Sequence, residues 1–156
     1  MKIPNDDQFK RFSISVDDFG EAKRFLAEVR HCDAESVPHE ALLIAAIIYF
    51  ARPFSFNEKR GGLEDIAKIK IDSFSNISSK EKALYERLIE LRNKCLAHAQ
   101  SSNYPTSLNK KIGVMRGRRW SILDEHIDVK KFDGLLDKLI DQVHNKRADY
   151  ISASKT

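Results

Sequence analysis

The sequence predicts an all-α fold, a helical bundle with one small β-hairpin before its last helix. Several segments carry apolar residues at helical spacing, typical capping residues precede them, and only a short stretch around Gly117 has the pattern of strands. The 156 residues suffice for one domain, residues 1–156, with a real core. Hydrophobic residues make up 42% and charged residues 32%, a balance typical of folded, water-soluble proteins.

The first half of the chain predicts two helices. Residues 1–15 are expected to form an irregular arm, followed by a first helix over residues 17–31 that Asp17 or Asp18 can cap. Its apolar stripe consists of Phe19, Ala22, Phe25, Leu26 and Val29. A second helix is predicted to begin near Ser36, with Pro38 in its first turn, and to end at Pro53. Residues 41–50 are apolar on every side, so this helix is expected to be the buried centre of the fold.

The next segments predict a loop, a short helix and then the longest helix of the chain. The loop covers residues 52–62 and ends in two glycines, and the short helix covers residues 63–70. Ser78 and Glu81 have the spacing of a capping box, which predicts a long helix over residues 79–99.

The last part of the chain predicts a hairpin and a final amphipathic helix. Two short strands are expected at residues 111–116 and 119–123. The final helix is predicted over residues 129–146, and residues 151–156 are expected to be a frayed tail. Its apolar face consists of Phe132, Leu135, Leu136, Leu139, Ile140 and Val143.

Hydropathy and cysteine usage predict a cytoplasmic protein with no membrane segment. The longest apolar run, residues 41–50, is too short to span a bilayer, and its place behind a polar N-terminus does not suit a signal peptide. Two cysteines, Cys32 and Cys95, do not make a disulfide framework and are expected to be reduced.

Basic residues concentrate in the predicted hairpin, although the net charge of the chain is only +4. Between Tyr104 and Trp120 there are five cations and no acidic residue. This pattern predicts an RNA-binding surface, in which Trp120 would stack on a base. The alternative is that the cations are merely solvated and Trp120 anchors the hairpin to the core. We call this set the basic flap: Lys110, Lys111, Arg116, Arg118, Arg119 and Trp120.

One residue interrupts the apolar arc of the predicted long helix. On a helical wheel of about 100° per residue, Arg92 falls near the middle of the arc, with Asn93 at one edge and His98 at the other. A buried guanidinium needs compensation. It could reach water or an internal carboxylate, it could lie in a symmetric dimer contact, or it could await an anionic ligand with His98 nearby.

A metal site is the weaker interpretation of the histidines and cysteines. Cys95 and His98 lie one helical turn apart, and His31 and Cys32 could supply two more ligands. No second paired motif exists, and Cys95 fits the apolar arc, so neither a metal nor any other cofactor is predicted.

The residues around Arg92 resemble the signature of HEPN domains, in which Arg is followed after four to six residues by His. Here five residues separate Arg92 from His98, a polar Asn93 follows the Arg, and Ala97 precedes the His. The tight match covers about nine residues, and the order of helices around it is consistent with the family. Toxins of this family that a nucleotidyltransferase antitoxin silences often carry Tyr two residues after the His, whereas this chain has Gln100.

The resemblance implies a metal-independent endoribonuclease that works as a homodimer. Arg92 and His98 would be the catalytic pair and Asn93 their support, in a toxin or phage-defence protein with a possible antitoxin or regulatory partner. Other members of the family are non-catalytic binding modules, so an RNA- or nucleotide-binding role is the alternative. A dimeric interaction protein, in which Arg92 only stabilises the contact between copies, is the third.

Overall fold

The computed structural model describes residues 6–55, 68–96, 106–109, 114–117 and 120–154, and it is mostly helical, as predicted. Within these ranges the α-helices are α1 (Asp6–Val29), α2 (Val37–Ala51), α3 (Ser79–Glu90) and α4 (Val129–Ala153). Short 3-10 turns cover Arg52–Phe54, Ile71–Ser73 and Ile122–Glu125, and a π-helical segment, Leu91–Leu96, follows α3 directly.

Helix α1 starts earlier than the sequence predicted. The irregular arm expected over residues 1–15 is wrong from Asp6 onward, because the helix already runs through that stretch. Arg11 and Ser15 are both buried there, at 4% and 0% exposure. The Nη2 atom of Arg11 donates to the carbonyls of Arg52 (3.0 Å), Pro53 (2.8 Å) and Ser55 (2.8 Å), so this charged side chain ties α1 to the end of α2.

Helix α2 begins as predicted and ends at Ala51, just before Pro53, and the loop predicted over residues 52–62 is wrong at its start, where a 3-10 turn covers Arg52–Phe54. The Ser36 hydroxyl accepts from the His39 N–H at 3.3 Å, and Pro38 lies in the first turn. Only one face is buried, however, while Val37 (78% exposed) and Ile48 (39%) lie on the surface. The predicted burial on every side is therefore wrong. By length and composition alone, residues 37–54 could cross a membrane, with a mean hydropathy of 1.2 and 39% of the window buried inside the fold.

The capping box of α3 and the apolar face of α4 are both confirmed. The backbone N–H of Glu81 donates to the Ser78 hydroxyl, and the Ser78 N–H donates to the Glu81 carboxylate at 2.8 Å. Helix α4 buries five of the six predicted residues, and Ile140 packs against the core half-buried. The helix continues to Ala153, so the prediction of a frayed tail is wrong for residues 151–153.

An aromatic cluster joins the helices at the centre of the core. Phe50 of α2 meets Phe132 of α4 edge-on, with ring centres 5.1 Å apart. Phe54 contacts Tyr85 of α3 in the same manner at 4.8 Å. Edge-to-face packing of this kind is favourable between aromatic rings. The aromatic cluster and the fully buried Leu88 together fix the position of α3 and of the π-helical segment that follows it.

The irregular parts of the chain differ most from the predictions. Residues 68–70 are not helical, and the rest of the short helix predicted over residues 63–70 lies outside the described residues. Strands β1 (Thr106–Asn109) and β2 (Val114–Gly117) pair antiparallel with Thr106 opposite Gly117, earlier in the chain than predicted. The second predicted strand, residues 119–123, is wrong because a 3-10 turn begins at Ile122, capped by the Ser121 hydroxyl.

Candidate functional site

The predicted site begins where α3 changes into the π-helical segment. Leu88 and Leu91 are fully buried on either side of this change, and Arg92 and Asn93 come immediately after it. π-helical turns are rare and occur frequently at functional sites. The wider turn also means that the α-helical wheel, which placed Arg92 amid the apolar arc, does not apply beyond Glu90.

Arg92 is half-buried and held by its neighbour. Its Nη1 atom donates to Oδ1 of the exposed Asn93 at 2.9 Å. It forms no ion pair with any residue that the structure describes. An internal carboxylate, one of the compensations expected from the sequence, is therefore not seen in the described part of the chain. Partial exposure lowers the desolvation cost of the guanidinium instead.

An open groove of about 580 Å³ lies beside Asn93. Its described lining includes Glu86, Arg87 and Glu90, so its charge is mixed. Arg87 donates to Glu90 at 2.7 Å and to the carboxylate of Glu125, which belongs to the turn before α4. These ion pairs fix the position of the last turn of α3 and leave the positive charge of Arg92 outside the network.

Trp120 lies at the end of the basic flap and is attached to the same network. Its indole Nε1 donates to Glu125 at 3.0 Å, and the half-buried ring packs against the core. This contact favours the anchoring alternative for Trp120, whereas base stacking stays a prediction. Through Glu125 and Arg87, the anchor connects the end of the flap to the last turn of α3. The sequence analysis missed Glu125, because a glutamate outside any motif gives no signal of its partner.

Most of the remaining predicted site residues lie outside the part of the chain that the structure describes. His98 lies outside the described residues, as do Lys110, Lys111, Arg118 and Arg119. Arg116 lies in β2, opposite Ser107 of β1, and its side chain is outside the description. Whether Arg92 and His98 meet therefore stays a prediction. Among the described residues, no three His, Cys, Asp or Glu side chains are grouped as a metal site would require.

A second cluster of charges, which the sequence analysis did not identify, lies inside the fold around Arg11. Burial lowers the pKa of Arg11, and the negative charge of Asp18 opposes this shift. Asp18 is 5% exposed and pairs with Arg52 at 3.2 Å. Burial also raises the pKa of Asp18, while Arg52 and Arg11 lower it. These three side chains connect α1 to the end of α2.

The chain has no match among family models, curated proteins or solved structures.

Proposed function

We propose that this chain is a metal-independent endoribonuclease that cleaves single-stranded RNA. The observation that supports this best is the state of Arg92. Its guanidinium is half-buried, oriented by Asn93 at 2.9 Å, and without an ion-pair partner among the described residues. An arginine in this state is suited to hold two oxygens of a phosphate, because its planar fork is already partly fixed.

The proposed chemistry needs a proton carrier and a fixed positive charge. The 2′-hydroxyl of the RNA attacks the adjacent phosphorus, and the 5′-oxygen leaves. His98 transfers protons, since imidazole can donate and accept near neutral pH. Arg92 stabilises the extra negative charge that develops on the phosphorane. The products are a 2′,3′-cyclic phosphate and a 5′-hydroxyl.

The proposed site is shared between two copies of the chain. The nucleases of the HEPN family, which the residues around Arg92 resemble, work as homodimers. Two copies related by a dyad can combine Arg92 of each with His98 of the other in one cleft. Activity then requires the homodimer, and light scattering that finds only monomer at micromolar concentration would contradict this part of the proposal.

The basic flap is proposed to bind the RNA backbone beside this cleft. The contact from Trp120 through Glu125 to Arg87 supports this arrangement, because it attaches the end of the flap to the last turn of α3. A protein of this kind fits the role of a toxin or phage-defence nuclease in the cytoplasm.

The decisive experiment is RNA cleavage by the purified full chain in excess EDTA. We expect cyclic phosphate ends, and His98→Ala should reduce the rate by roughly a hundredfold or more. His144→Ala is the matched control, because His144 is an exposed histidine on α4. RNA binding without cleavage would favour a non-catalytic binding module, and cleavage at the wild-type rate in His98→Ala would exclude the proposed catalysis.

A further inference from the structure

A cavity of about 300 Å³ lies between the first turns of α1 and residues 68–73. Three cationic side chains line it: Arg11 from α1, and Lys68 and Lys70 from the segment before the 3-10 turn. Phe12 and Ile69 supply an apolar side, and Ser73 a hydroxyl. None of the described residues that line the cavity is acidic. Its volume is at the lower end of the range typical for small-molecule sites.

The hydrogen bonding of Arg11 independently favours a bound anion in the cavity. The side chain is 4% exposed, and all its hydrogen bonds to described residues come from Nη2. Its Nε atom is buried and has no acceptor within the described residues. Buried N–H groups are almost always satisfied, and an unsatisfied one calls for an explanation. A bound oxyanion would bring acceptor oxygens to this guanidinium.

A further cation lies beside the cavity. Lys146 of α4 donates to the Ser73 carbonyl at 2.9 Å, and its Nζ lies 5.6 Å from the centre of the Phe12 ring. Among the described acidic side chains, Asp72 pairs with Lys82 at 2.9 Å, and Asp18 pairs with Arg52 while its charge also acts on Arg11. Arg11 of α1 and the two lysines of the 68–73 segment therefore line one small space, and Lys146 of α4 contacts two of its lining residues.

We propose that this cavity binds the phosphate group of a small phosphate monoester. Arg11 and Lys70 hold the phosphate oxygens, and the organic part of the ligand packs on Phe12 and Ile69. Arginine and lysine form charge-assisted hydrogen bonds to phosphate, which are roughly twice as strong as hydrogen bonds between neutral groups. The inference does not depend on the nuclease proposal, because it uses none of the residues of that site.

The test is isothermal titration of the full chain with three probes: inorganic phosphate, adenosine monophosphate and adenosine. We expect Lys70→Ala to weaken phosphate and monophosphate binding by about tenfold, the effect of one charge-assisted bond. Lys130→Ala, an exposed lysine at the start of α4, is the matched control and should leave both affinities unchanged. Lys70 is itself exposed, so its variant should fold normally.

The three probes separate the possible ligands. If adenosine monophosphate binds more tightly than inorganic phosphate, the ligand is a monoester. If the two affinities are equal, the site recognises only the phosphate group. Either result supports the phosphate site if Lys70→Ala weakens binding, but equal affinities would contradict the packing of an organic group on Phe12 and Ile69. The proposal is overturned if neither phosphate compound binds at millimolar concentration, if Lys70→Ala has no effect, or if adenosine binds as well as its monophosphate.

Discussion

Arg92 and Asn93, adjacent in the π-helical segment after α3, are joined by a hydrogen bond of 2.9 Å from Nη1 to Oδ1. Adjacent side chains on a regular α-helix do not face each other. The contact therefore depends on the reach of the arginine and on the local geometry of the segment. It uses one of the five N–H donors of the guanidinium, so Asn93 can orient Arg92 without occupying it.

Substitution of Asn93 should separate orientation from charge. Asn93→Ala removes the acceptor, and we expect RNA cleavage to fall by about tenfold, the effect of about 1.4 kcal/mol. Asn93→Asp should be more harmful, because a carboxylate beside Arg92 repels phosphate and pairs with the guanidinium. Asn93 is exposed, so both variants should unfold at nearly the wild-type temperature. Cleavage rates in Asn93→Asp equal to or above those of Asn93→Ala would contradict this role.

If the basic flap binds the RNA backbone, its contribution should appear in the salt dependence of RNA binding. Each phosphate contact releases counterions, so changing Arg116, Arg118 and Arg119 together to Ala should weaken binding and flatten the slope of log affinity against log salt. The measurement is a fluorescence titration with a labelled single-stranded RNA at several salt concentrations. An unchanged slope would show that these arginines do not contact the backbone.

The parts of the fold that were predictable from sequence depend on local interactions. The caps of α2 and α3 are formed by Ser36 and Ser78 with residues only three positions away, which a sequence pattern can show. The apolar face of α4 likewise follows from the spacing of its own residues. In each case the information lies within one or two helical turns.

The parts that were not predictable depend on distant partners. Arg11 makes its hydrogen bonds to carbonyls 41, 42 and 44 positions away. The polar residues around it in the sequence therefore indicate a solvated arm and give no sign of these partners. The pairing of Arg87 with Glu125 spans 38 positions. The π-helical segment has no local signature either, because α- and π-helical hydrogen bonding compete over the same residues. The proposed site combines both cases. The types of its residues could be predicted from the sequence, but the geometry that places them could not.

Arg11 should be important for stability despite its charge. Arg11→Ala leaves three backbone carbonyls without their donor, and a buried polar group that loses its partner costs about 1–3 kcal/mol. We expect the free energy of unfolding in urea to fall by at least about 2 kcal/mol. Arg24→Ala is the control on the same helix, because Arg24 is exposed and forms a surface ion pair with Glu21 at 2.6 Å in the i,i+3 position. Equal effects of the two substitutions would contradict the structural role of Arg11.

Glu81 should make stability depend on pH in acid. Its hydrogen bond with Lys138, followed by those with Ser78, lowers the pKa from 4.5 to about 2. Because the folded-state pKa is lowered, the stabilisation is complete above about pH 4.5 and is lost as the pH falls toward 2. Glu81→Gln should cost about 1 kcal/mol at neutral pH, allowing for solvent screening. The difference in the free energy of unfolding between wild type and Glu81→Gln should shrink across that acid range, and Glu86→Gln, at an exposed position of the same helix, is the control.

Arg92→Lys is the sharpest test of the proposed catalysis. The substitution keeps the positive charge but removes the planar fork, so a bidentate contact to the phosphorane is lost. We expect the cleavage rate in EDTA to fall on the order of a hundredfold, close to the loss in Arg92→Ala. The combined loss in Arg92→Ala with His98→Ala should be smaller than the product of the single losses, because both groups serve one step. Arg24→Lys, at an exposed position on α1, should be fully active. Full activity in Arg92→Lys would mean that Arg92 supplies only charge, and full activity in Arg92→Ala would remove it from the catalytic site.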